Sequence, residues 1–309
     1  LLTAAQTWTG VPSISGKALM WLTFIWLAAR LAFFVVLPDI AHFNLYAALT
    51  LQVIWWLGAI TALANMLLKA NSKSNYPFLA ILAVLCGLNV LYLILVLQQN
   101  MQLALGVVDT AVLVITLLVG IVAGRVLPFF TAKGLGLAAQ VRTPKIDKAV
   151  MYLSIVAITL FFINKLFLNT INPALVVATV AALHLLRAGC WWDSKVLRVP
   201  LLWSLHFSYL ALGVGLMMVA FSFYSSAMQF KDALHLITIG TIGMMILAMM
   251  TRVSHGHTGR TLAIPHYPFI IRPHLAWQIS ALLWLVAFSL FLIHCTPILT
   301  RRRVDGRRG

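Results

Sequence analysis

The chain has 309 residues, of which 62% are hydrophobic and 9% charged, with a mean hydropathy of +0.99. Soluble domains carry about 25% charged residues, so a soluble globular fold is excluded, and continuous rather than alternating apolar runs exclude a membrane β-barrel. The net charge of +16 would point to nucleic acid in a soluble chain. Here most Lys and Arg lie in connectors or at helix ends, where membrane orientation and anionic lipid account for them.

A bilayer-spanning helix needs roughly 20 apolar residues. The sequence predicts nine, over 17–37, 43–68, 76–98, 103–124, 149–168, 172–192, 200–224, 232–251 and 274–296. The fold class is therefore all-α, a polytopic transmembrane bundle forming a single domain over 1–309. Two connectors are long, Arg125–Lys148 and Arg252–Pro273. The opening Leu1-Leu2-Thr3-Ala4-Ala5 reads as the end of a helix begun upstream, so the chain is expected to be a fragment. Three cysteines, Cys86, Cys190 and Cys295, show no paired spacing and read as packing residues.

Positive residues orient the bundle. Lys69 and Lys73 follow helix two, and Arg125, Lys133, Arg142, Lys145 and Lys148 follow helix four. Arg187, Lys195 and Arg198 flank the end of helix six, and Arg252, Arg260 and Arg272 follow helix eight. These share one side, the cytoplasm, and the opposite connectors carry no Lys or Arg. The pattern then breaks. Helix nine would carry the Arg301–Arg308 tail outside; either the tail is an exception to the rule or, the favoured expectation, one crossing is missing between Leu262 and Pro273.

Ionisable groups inside a membrane helix are costly and are functional candidates by default. Arg30 in helix one is expected to face the interior, and Asp109, near the outer end of helix four, is its candidate partner. Helical rise sets the depth of the histidines. His184 lies about 18 Å and His206 about 21 Å from the outer face, so the two share a level on consecutive helices. His235 lies about one turn from the outer face, with His42 and His294 near that level. His255 and His257 fall in the cytoplasmic connector. Paired imidazoles can ligate haem iron, and imidazole also suits copper. Hydrogen-bonded packing histidines remain the alternative, and so does a transporter whose histidines are structural.

Five motifs then resemble one family. They are Leu1-Leu2-Thr3-Ala4 with Trp8-Thr9-Gly10; Ala123-Gly124-Arg125-Val126-Leu127-Pro128-Phe129-Phe130-Thr131; Leu183-His184-Leu185-Leu186-Arg187; Leu234-His235 through Thr251-Arg252 to Gly256-His257-Thr258-Gly259-Arg260; and Pro297-Ile298-Leu299 with Arg303-Val304-Asp305-Gly306. In this order they resemble the NnrS family, haem- and copper-containing membrane proteins of nitric oxide metabolism. The resemblance implies twelve helices with both ends cytoplasmic at the bacterial inner membrane, so this chain would lack the first two and one after the Gly-His-Thr-Gly-Arg motif. It also implies a haem and a copper, with nitric oxide as ligand and no nucleic-acid partner. His184 and His206 would form the inner, cofactor-binding layer. His235 would complete an outer metal site with histidines this chain does not contain, and His257 is a further metal candidate. Arg30, Asp109, Arg125, Arg252 and Arg260 are the intramembrane or rim polar groups. Enzymatic activity is left open: with no glutamate, only Asp109 offers itself to a proton path.

Overall fold

The computed structural model describes residues 2–33, 43–167 and 171–257, with a few helical positions between 286 and 296. Ten α-helices follow in order: α1 (Leu2–Thr9), α2 (Gly16–Leu31), α3 (Phe43–Lys69), α4 (Tyr76–Leu97), α5 (Met101–Leu135), α6 (Pro144–Leu166), α7 (Ala174–Trp191), α8 (Pro200–Phe221), α9 (Phe230–His235) and α10 (Met244–His257). A π segment, Leu236–Gly243, joins α9 to α10 without a break. There is no strand among the described residues.

In lipid every backbone polar group must be satisfied within its own segment, which long apolar helices achieve. Seven of the described segments are long and apolar enough to cross a membrane, the last running from Phe230 through the π segment to Val253. Nine were expected. Of the other two, α2 has 16 residues, short of a crossing, and the span over 274–296 lies outside the described residues. Proline opens α8 at Pro200 and stands in the first turn of α4 as Pro77, where its fixed φ suits a helix start and its missing N–H has no partner to lose. Helices α3 and α4 close on left-handed residues, Asn71 (φ 47) and Gln99 (φ 57). Each is followed by a six-to-one backbone bond, Ser72 N–H to Leu67 O and Asn100 N–H to Leu95 O, which satisfies carbonyls the helix would otherwise orphan.

Of the two long connectors expected, Arg125–Lys148 is largely helical and the described start of Arg252–Pro273 is helical. Helix α5 runs on through Arg125 to Leu135 and α6 starts at Pro144. Pro128 lies inside α5; it removes one N–H, yet neighbouring helices can satisfy the freed carbonyl in a membrane protein. At 35 residues α5 is about 52 Å long, well beyond the roughly 30 Å hydrocarbon layer. Helix α10 likewise continues past Thr251-Arg252 to His257, so the exit expected at Arg252 is a helix end.

The chain forms two compact units. The first takes Leu1–Leu118 with Ile158–Asn172. Its core holds Leu63, Leu67, Phe78, Leu93 and Phe161, and Trp8 stacks on Phe78 at 5.1 Å. The second takes Val119–Ala157 with the chain from Pro173 onward, and its core holds Leu127, Leu202, Leu205, Tyr209, Leu212 and Ile237.

Candidate functional site

Helices α7 and α8 of the second unit pack side by side. A Cβ on Gly213 of α8 would stand 2.6 Å from Leu185 Cδ2 on α7; small residues of this kind let membrane helices approach closely. Each helix carries two polar residues three apart and so on one face: His184 with Arg187, and His206 with Tyr209.

Arg187 ties these groups together. Its Nη1 donates to Asp147 Oδ1 at 2.9 Å, its Nη2 to the Gly120 carbonyl at 2.6 Å and its Nε to the Tyr209 hydroxyl at 2.6 Å. Its guanidinium also lies 4.8 Å from the Trp191 ring centre. The Tyr209 oxygen is 2.7 Å from His184 Nδ1. Arg187, Tyr209 and His184 are 1%, 0% and 1% exposed, so the whole guanidinium fork is withdrawn from solvent. Asp147 is half-buried in the first turn of α6, where Thr143 Oγ1 also donates to it at 3.0 Å. Two glycines of α5 make room. A Cβ on Gly120 would stand 2.9 Å from His184 Cε1, and one on Gly124 3.1 Å from Arg187 Nη1.

Counting protons assigns the His184 ring, and comparing distances assigns His206. A hydroxyl has one hydrogen and accepts at its oxygen. Tyr209 accepts from Arg187, and its own hydrogen has His184 Nδ1 as its acceptor. A neutral His184 therefore carries its hydrogen on Nε2. His206 is the opposite case. Its Nδ1 lies 2.9 Å from the Leu202 carbonyl, its closest polar contact, and so donates there. Nε2 has only longer contacts, to the Trp191 carbonyl at 3.3 Å and the Thr131 hydroxyl at 3.4 Å. A ring N–H held by a backbone carbonyl is the arrangement that orients metal-ligating histidines.

His206 and Tyr209 line a cavity of about 320 Å³ whose walls include Leu127, Leu185, Trp192 and Leu210. This is the lower end for ligand pockets. His184 is not among its lining residues. Tyr209, the partner of His184, stands three residues, about 4.5 Å, beyond His206 along α8.

The other expected site residues are dispersed. His235 ends α9, half-buried, where the π segment begins. Asp109 is buried in α5, whereas Arg30 is exposed on α2 with its guanidinium 5.5 Å over Trp26. Arg125 is exposed and Arg252 buried. His257 is the last residue of α10, but its side chain lies outside the described residues, as do Arg260, His42 and His294. Tyr209, Asp147 and Gly120 were not foreseen as site residues, and Arg187 was read only as an orienting charge. The paired three-residue spacings His184/Arg187 and His206/Tyr209 are the signal that points to them.

The sequence profile of one family, described as NnrS protein, matches residues 1–272. The chain belongs to the NnrS family. No curated protein and no solved structure matches it. The NnrS match takes in the whole polar chain, the cavity and α10.

Haem iron asks for an imidazole lone pair in a shielded, apolar place. His206 fits: it is 4% exposed, its Nδ1 is held, and the buried Trp191 indole N–H nearby has no partner among the described residues. A closed metal site fits less well, since no group of three His, Cys, Asp or Glu comes together among the described residues.

Proposed function

We propose that this NnrS-family protein binds haem and copper in the bacterial inner membrane and takes part in the response to nitric oxide. The observation that carries the reading is His206, a buried imidazole whose Nδ1 lies 2.9 Å from the Leu202 carbonyl while Nε2 has only longer contacts, at 3.3 and 3.4 Å. His206 holds the iron. His184 belongs to the same layer as a hydrogen-bond donor through Nε2, and Tyr209 sets its tautomer. When bound, haem supplies an iron at which nitric oxide can coordinate. The leucine and aromatic walls keep water from the cavity and admit a small apolar ligand. Copper is assigned to the level of His235, as one ligand of a site completed outside the described residues.

The test is an optical spectrum and metal analysis of the purified full-length protein. A Soret band is expected, with haem occupancy about tenfold or more lower in His206→Ala. His184→Ala retains the band at a shifted position. Equal loss in both variants would make the two histidines a pair of axial ligands instead. No haem and no copper in the parent protein would overturn the reading.

A further inference from the structure

Among its described residues the second unit buries two arginines, Arg187 and Arg252, and treats them differently. Arg187 places its Nε, Nη1 and Nη2 on Tyr209, Asp147 and Gly120. Arg252 is 6% exposed, yet its Nε and Nη1 are buried without a hydrogen-bond partner. Its guanidinium carbon lies 3.8 Å from the centre of the Phe130 ring.

A buried charge is tolerated only when paired and hydrogen-bonded. The contact with Phe130 offsets part of the cost through the ring's negative face but accepts none of the N–H hydrogens. Arg252 is in the last turns of α10, where helix carbonyls carry partial negative charge, but its Nε and Nη1 bond none of them. The aspartates described in this unit are engaged elsewhere. Asp147 bonds Arg187, Asp193 accepts from the Lys195 N–H, and Asp232 is in the first turn of α9, at the other end of this helix. A guanidinium has five donors and no acceptor, and its planar fork matches phosphate and carboxylate oxygens. Arg252 is also the penultimate residue of the apolar span that ends at Val253. That is the depth at which a lipid headgroup lies.

We propose that Arg252, seated on Phe130, anchors an oxyanion site that takes a phosphate group, from the phosphodiester of an anionic phospholipid or from free phosphate. The proposal does not rest on whether His206 holds a metal, so the protein is used as purified.

Thermal unfolding of the detergent-purified full chain is followed while dioctanoyl phosphatidylglycerol or inorganic phosphate is titrated, against sodium chloride at equal ionic strength. A saturable rise in Tm is expected with one of the two probes. Response to phosphatidylglycerol alone assigns the site to lipid, and response to phosphate assigns it to the free ion. In Arg252→Gln the titration midpoint moves up about tenfold or more, while Arg142→Gln, an exposed arginine, leaves it unchanged. Where Arg252→Gln does not fold, Arg252→Lys is read in the same titration: it keeps the charge, loses the fork and weakens the midpoint. Equal midpoints in parent and Arg252 variants, or no stabilisation by either probe beyond chloride, overturn the proposal.

Discussion

Tyr209 decides what His184 can do. By accepting from Arg187 and donating to His184 Nδ1, its hydroxyl leaves His184 with a hydrogen on Nε2. In histidine-labelled protein, nitrogen NMR should find His184 protonated at Nε2 and His206 at Nδ1. Tyr209→Phe should release the His184 tautomer and leave His206 as it was; the same tautomer for both rings in the parent would disprove the assignment. Arg187→Lys should destabilise the protein by about 3 kcal/mol in a thermal melt, because a lysine cannot reach three acceptors and leaves buried groups unpaired. The histidines were legible in the sequence because depth follows from residue number. Arg187 was legible only as a charge at a helix end, and Tyr209 not at all, since a tyrosine in an apolar run carries no sign of its partner.

The helices are the most readable level. The expected bounds of the spans from 43 to 251 agree with the structure to within a few residues, apart from the far ends of α5 and α10 and the start of α6. The boundaries at α5 and α6 failed because Arg125 and Pro128 look like the end of a span, whereas α5 carries both onward. Packing between helices rests on small residues. Gly213→Val should cost about 1–3 kcal/mol in stability, since even its Cβ would press on Leu185, and a thermal melt reads the loss. The π segment joins α9 to α10 and so fixes the rotation of α10 about the shared axis. Removing Ile239 should turn α10 by about 100° and carry Arg252 off Phe130. Cysteines placed at 130 and 252 should then lose cross-linking by a short bifunctional thiol reagent; retained cross-linking would show the segment absorbs the deletion.

For the whole molecule, charge predicts sidedness. Lys73 and Lys195 in connectors and Lys145 at the start of α6 lie on one expected side, and Asn100 and Asn172 in connectors on the other. With the native cysteines replaced, single cysteines at the first three positions should react with an impermeant thiol reagent only from the cytoplasmic side, and those at the last two only from outside. Mixed labelling within either group would break the orientation. Many large apolar side chains are exposed along the spans, among them Trp21, Leu57, Tyr152 and Leu175, as a lipid-facing surface requires. The family was legible because its motifs are local strings. The polar chain was not, because it joins residues from four separate helices.

That joining has a mechanical meaning. Lipid tails are as apolar as leucine, so nothing like the water-driven squeeze of a soluble core keeps membrane helices from drifting apart. Through a single side chain, α7 grips the backbone of α5, the first turn of α6 and the middle of α8. Arg187 thus acts as a rivet through four plates. Any sliding or tilting of α5 or α8 against α7 must first shear a charge-assisted bond buried from solvent.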